Sequence, residues 1–202
     1  MRIWLARHGE TPWNRDRRAQ GWSDVALSDR GRAQARALGE LLGSTRPEAI
    51  YASTLSRAWE TAEAVARPHG LGVEGREDLW ELNQGILEGL TIAEMLQRHE
   101  ELVSAWWRDP GDQVLPDGES LRQVQERAWR VIEEIRARHE REVIVVTHNM
   151  VIRAILIRVL GLDFSRSRCL KFGIASLNRI GWNGGSSPSL ELFNFLDHIE
   201  GS

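Results

Sequence analysis

Val143-Ile144-Val145-Val146-Thr147 is an unbroken β-branched run with four apolar residues and no in-out alternation. Such a run fits a strand covered on both faces, as in a parallel sheet lying between helices. Ile3–Ala6 and Ala49–Ala52 read as further short buried strands. Elsewhere the apolar period lengthens to that of helices. Residues 29–42 place Ala35, Leu38, Leu41 and Leu42 at helical spacing, with Gly43 as a stop. Thr54–Arg67 sets Ala58, Ala62 and Val65 on one face, and Pro68 is expected to end it. Ser120 and Gln123 fit a capping box. It opens a helix whose buried stripe is Leu121, Val124, Ala128, Val131, Ile132 and Ile135. Another helix follows Thr147 and runs to Leu160, with Gly161 as C-cap. Two later strands, at about Ser176–Trp182 and Leu190–Phe195, flank a Gly184-Gly185 turn and are expected to pair antiparallel. Strands alternating with helices predict an α/β sandwich. The 202 residues suit one domain. Residues 84–118 are the least regular, apart from a helix at Thr91–Arg108, and read as a lid-like segment.

Composition narrows the functional classes. With 42% hydrophobic residues the chain can bury a sizeable core. A net charge of −3 argues against a nucleic-acid partner held by bulk charge. Cys169 is the only cysteine, so no internal disulfide forms, and a cytoplasmic setting is expected. The apolar run before Arg7 is too short for a signal peptide. The longest apolar stretch, Val143–Leu160, is broken by His148, Asn149, Arg153 and Arg158, so no membrane span is expected. Of the 26 lysines and arginines only Lys171 is a lysine, a bias without bearing on activity.

The candidate chemistry lies where the strands stop. Ile3–Ala6 and Val143–Val146 each run into a histidine within two residues, His8 and His148. Ala49–Ala52 is followed by Ser53 and a helix whose first turn carries Arg57. In a parallel sheet the carboxyl ends of adjacent strands meet in one crevice, where ligands bind. If these strands are neighbours, Arg7, His8, Arg57 and His148 converge. So many potential cations repel one another unless an anion sits among them, and helix N-termini favour the same charge. Arginine's planar fork suits a phosphoryl group. Taken singly, each residue has an ordinary structural reading; their coincidence at strand ends is what carries the argument.

Arg7-His8-Gly9-Glu10-Thr11-Pro12-Trp13-Asn14 resembles the R-H-G-E-[ST]-x-x-N signature of the histidine phosphatase superfamily, the phosphoglycerate mutase-like proteins. The resemblance continues through Gln20-Gly21-Trp22-Ser23-Asp24, Leu27-Ser28-Asp29-Arg30-Gly31 and Ser53-Thr54-Leu55-Ser56-Arg57-Ala58. It extends to Leu79-Trp80-Glu81 with Gly85 and Glu88-Gly89-Leu90, then Asp117-Gly118-Glu119-Ser120, where Asp replaces the family's first Gly. Val145–His148 and Asn194–Ile199 complete it in the expected order. The resemblance implies a three-layer sandwich with a mostly parallel mixed sheet and helices on both faces.

It also implies roles. His8 would be the nucleophile, forming a phosphohistidine. Arg7, Arg57 and His148 would hold the equatorial oxygens during in-line transfer. Asn14, Gln20, Gly21 and Asn149 would complete phosphate binding. Glu81 would protonate the leaving alkoxide and then act as base on water, which calls for partial burial. No cofactor and no metal is called for, because His69, His99, His139 and His198 are scattered and the arginines supply positive charge. His99 and His139 read as residues of solvated helix ends. Trp106 and Trp107, two of nine tryptophans, either pack the core and lid or wall the mouth of the site for an apolar leaving group.

Three functions compete: a phosphomonoesterase acting on small phosphate monoesters, a cofactor-dependent phosphoglycerate mutase, and a non-catalytic phosphate-binding protein. The mutase branch follows its proton donor with Arg-His-Tyr, where this chain has Leu82-Asn83-Gln84. It carries paired arginines where this chain has Trp106-Trp107-Arg108, and its C-terminal N-x-P-T-G-x-P is replaced by Phe172–Asn178. A non-catalytic relative would lack His8 or Glu81. The phosphatase reading is therefore preferred. The C-terminal strand also offers an edge on which a homodimer could form.

Overall fold

The computed structural model describes residues 1–182, 184–185 and 187–199. Six strands form one mixed sheet: β1 (Arg2–Arg7), β2 (Ala49–Ala52), β3 (Val73–Gly75), β4 (Glu142–Thr147), β5 (Leu177–Gly181) and β6 (Ser189–Phe195), in the order β3-β2-β4-β1-β5-β6. The first four strands run parallel; β5 is antiparallel to β1, and β6 to β5. The helices are α1 (Pro12–Arg15), α2 (Asp29–Leu42), α3 (Ser56–Ala66), α4 (Ile92–Arg108), α5 (Leu121–Arg138) and α6 (Asn149–Leu160).

Register explains why the strands lack alternation. Trp4, Ile144 and Ile50 lie abreast, as do Leu5, Val145 and Tyr51, and successive side chains point to opposite faces. The first row joins Leu38, Leu42, Ala58, Ala62 and Val65 of α2 and α3 in one apolar cluster. The second joins Val124, Ile132 and Ile135 of α5 with Val151, Ile155 and Leu156 of α6 in another. Both sides of the sheet are therefore covered, giving three layers. Each buried Val, Ile or Leu contributes about 1.5–3 kcal/mol of transfer free energy.

Capping fixes the helix starts. Ser120 accepts from Gln123 N–H while the Gln123 side chain accepts from Ser120 N–H, and Thr91 with Glu94 forms the same box on α4. Gly161 ends α6 in the left-handed region at φ 61°.

The elements depart from expectation in several places. α3 ends at Ala66, just before Pro68 as expected, but the chain continues into a 3-10 turn, Arg67–His69, near whose start the missing N–H of Pro68 costs nothing. Strand β3 was not expected, since Val73 is its only apolar residue and it pairs along one edge alone. α4 spans the expected helix but breaks at His99 (φ −142°, ψ 38°), so His99 marks a kink and not a free end. His139 caps α5 yet is enclosed: its Nε2 lies 3.0 Å from the Tyr51 hydroxyl. Among the described residues no helix is long and apolar enough to cross a membrane.

Candidate active site

Because β1, β4 and β2 lie side by side in register, their carboxyl ends coincide: Ala6, Val146 and Ala52 are abreast, and Arg7 pairs with Thr147. The next residues are His8, His148 and Ser53. A cavity of about 180 Å3 opens there, lined by Arg7, His8, Asn14, Arg18, Ala19, Gln20, Gly21, Arg57, Glu81, Gln84, Asn149 and Met150.

His8 is 2% exposed, and its Nδ1 lies 2.7 Å from Gly9 O. A carbonyl oxygen only accepts, so Nδ1 carries the proton and Nε2 keeps its lone pair. Burial, then the charges of Arg57 and Arg7, hold the His8 pKa well below 6.5. Burial and the neighbouring guanidinium groups thus favour the neutral imidazole. His148, the N-cap of α6, lies with its ring centroid 5.1 Å from that of His8. Burial and then Arg57 and its other cationic neighbours hold it neutral too. Its Nε2 contacts Ser53 Oγ at 2.7 Å, while Nδ1 has no protein partner.

The arginines are anchored by backbone carbonyls. Arg7 Nη1 donates to Phe172 O at 2.8 Å, and burial lowers its pKa to about 10, leaving it charged. Arg57, fully buried, donates through Nη1 to Ser23 O and through Nη2 to Gly21 O. The Nε of each is buried without a protein partner. Gly21 sits at φ +53°, and a Cβ there would collide with the Glu88 carboxylate, which binds the Trp22 and Ser23 amides. Asn14 Oδ1 accepts from Thr11 N–H at 3.1 Å, which orients its amide nitrogen away from that bond. Gln20 Oε1 and Asn149 Oδ1 are buried without protein partners.

Glu81 is 7% exposed. Its Oε1 accepts from Leu82 N–H at 2.9 Å and Met150 N–H at 3.1 Å, at the N-terminus of α6. Burial nonetheless outweighs those donors and the Arg57 and Arg7 charges, and raises its pKa above 4.5.

Arg7, His8 and Arg57, with Asn14, Gln20, Gly21, Glu81 and Asn149, therefore line one cavity, and His148 is buried beside His8, their ring centroids 5.1 Å apart. Trp106 and Trp107 do not. They line an adjoining apolar recess of about 60 Å3 with Leu82, Leu87, Met95, Val103 and Leu115, and Gln84 borders both spaces. Arg18, Gln84 and Met150 line the cavity without having been anticipated. Arg18 stands in an arginine-rich run that singles out no member, and its Nη1 is held by Gly89 O and Glu94. Arg153, in the sequence a charge that interrupts an apolar stretch, is partly buried beside Met150, and its Nη2 donates to Leu170 O.

Buried histidines, guanidinium groups and a carboxyl thus meet where the parallel strands β1, β4 and β2 of the mixed sheet end. Residues 3–195 match the family model described as histidine phosphatase superfamily (branch 1), and the chain belongs to that superfamily. It is 34% identical to phosphoserine phosphatase 1 of Hydrogenobacter thermophilus over 82% of this chain and 79% of that one. It is 40% identical to a metal-independent phosphoserine phosphatase of Arabidopsis thaliana, over 78% and 68%. The phosphoglycerate mutase-like protein 4 of Arabidopsis is 33% identical, over 98% and 86%. Among solved structures, Bacillus stearothermophilus YhfR superposes with a TM-score of 0.92 at 33% identity, covering 98% of this chain and 99% of that one.

Proposed function

We propose that this enzyme is a phosphomonoesterase that hydrolyses small phosphate monoesters through a phosphohistidine on His8. The observation carrying this reading is the His8 tautomer: Nδ1–H is committed to Gly9 O, so Nε2 is a lone-pair nucleophile among cationic groups. In the first half-reaction Nε2 attacks phosphorus as the P–O bond to the leaving group breaks. Arg7, Arg57, Asn14, Gln20, Asn149 and His148 bind the equatorial oxygens, where charge accumulates. If Ser53 O–H donates to His148 Nε2, His148 Nδ1–H faces the phosphoryl group as a further donor. The Glu81 carboxyl gives its proton to the departing oxygen. In the second half-reaction the Glu81 carboxylate takes a proton from water as the water oxygen attacks phosphorus. The N–P bond breaks, returning His8 to its neutral form and releasing phosphate.

Hydrolysis is favoured over mutase chemistry by the cations available. A mutase must also hold the carboxylate and second phosphate of its substrate. Among the described residues the arginines lining the cavity are Arg7, Arg18 and Arg57, and Arg18 is already paired with Glu94. A panel of phosphate monoesters, assayed for inorganic phosphate and for 3- to 2-phosphoglycerate interconversion, tests the reading. Phosphate release, unchanged by EDTA, is the expected result. Interconversion without release would establish the mutase, inertness would establish a binding protein, and loss of release on chelation would overturn the metal-free mechanism.

A further inference from the structure

Glu81 sits on a stretch with little regular structure, between 3-10 turns at Glu77–Leu79 and Gly85–Leu87. Its backbone groups must find partners elsewhere, and those partners decide where the carboxyl points. Thr147 Oγ1 donates to Leu79 O at 2.7 Å. Trp22 Nε1 donates to Glu81 O at 2.9 Å, and a further set of anchors converges on a single ion pair. Arg127, on α5, donates through Nη1 to Asp78 O at 2.8 Å and through Nη2 to Glu81 O at 2.9 Å. Its Nε and Nη2 also bind the two Glu119 carboxylate oxygens, each at 2.9 Å. Glu119 completes the arrangement by accepting from Asn83 N–H at 2.9 Å, while its own N–H donates to Asn83 O at 2.9 Å.

We propose that Arg127, locked by Glu119, is the positioning residue for Glu81: a guanidinium clamp that fixes the backbone of residues 78–83 and so aims the carboxyl into the cavity. The proposal rests on Glu81 being the proton donor. The Arg127 and Glu119 side chains are only 11% and 16% exposed, so solvent does little to loosen them. A bidentate fork fixes direction as well as distance, which a single ammonium contact does not. Glu81 is gripped from behind through its carbonyl, while its Oε1 faces Met150 N–H. The same pair joins Asn83 to Glu119, the residues at either end of the 84–118 segment. The neck of that segment and the proton donor therefore share one clamp.

The test compares kcat/KM for an alkyl phosphate and for p-nitrophenyl phosphate in Arg127→Met, Arg127→Lys and Glu119→Gln, with Glu81→Gln as reference. This parameter covers steps only up to departure of the alcohol. Nitrophenolate leaves without a proton, so the ratio of the two values reads proton donation and is blind to any loss of folded enzyme. Arg127→Met should cut the alkyl value at least ~10-fold and the nitrophenyl value less than ~3-fold. The lysine and glutamine variants should fall between it and wild type. If Arg127→Met fails to fold, the other two variants carry the comparison. An unchanged ratio in all clamp variants, with a leaving-group-dependent loss in Glu81→Gln, overturns the clamp alone. An unchanged ratio in Glu81→Gln overturns the proton-donor reading on which it rests.

Discussion

The central residue, His8, is a case of burial doing chemistry. A buried imidazole among guanidinium groups resists a second charge, and its Nδ1–H is occupied by a carbonyl, so the neutral nucleophile persists as pH falls. Glu81 shifts the opposite way: burial favours its acid form above the usual carboxylate range. The proposed first half-reaction needs neutral His8 and protonated Glu81. The kcat/KM of an alkyl ester should accordingly hold in mildly acid solution and fall as pH rises through the raised Glu81 pKa. Glu81→Gln should abolish that descending limb and lower alkyl-ester turnover by ~10²–10⁴, sparing nitrophenyl phosphate. Equal losses on both esters would remove Glu81 from the role. His8 was legible because it follows an apolar strand directly, and Glu81 only through the resemblance carried by Leu79-Trp80-Glu81. Arg127 and Glu119 were not legible as partners of Glu81. Their roles depend on which loop carbonyls α5 meets, and sequence spacing does not encode that.

At the scale of elements, burial on both faces made β1, β2 and β4 readable, and capping boxes made α5 readable. What escaped was set by tertiary contact. β3 exists through its ladder to β2, with one apolar side chain of its own. His139 is enclosed because Tyr51 reaches it across the sheet's end. The 84–118 segment hid the separation between the polar cavity and the apolar recess under Trp106 and Trp107. On the proposed function, the apolar part of a leaving group extending past Gln84 would enter that recess. Trp107→Ala should lower kcat/KM for phenyl phosphate relative to glycerol phosphate by about 3–10-fold, the scale of a partly lost aromatic contact. A constant ratio across the two esters would reduce the indoles to packing residues.

For the whole molecule, the same buried histidines tie catalysis to stability. The pKa values of His8 and His148 are lowered by folding, so between those lowered values and 6.5 the unfolded chain binds protons that the native state does not. Stability from these groups is present above pH 6.5 and is lost as pH falls, at up to about 1.4 kcal/mol per pH unit for each. Glu81 acts in the opposite sense, losing stability as pH rises above 4.5, but it is one group against two. His69 and His198 shift in the same direction as the pair. Tm should therefore drop from pH 7 to pH 5.5, and His148→Gln should flatten the slope. A Tm that rises on acidification would contradict the buried neutral histidines.

The most direct measurement follows the phosphoryl group itself. Enzyme turning over a 32P-labelled monoester is quenched in alkali, where a phosphoramidate survives, and digested to locate the label. The label is predicted on the His8 peptide, as N-linked phosphate, appearing and decaying fast enough to account for steady turnover. Steady hydrolysis with no label on His8 at any time would contradict the mechanism.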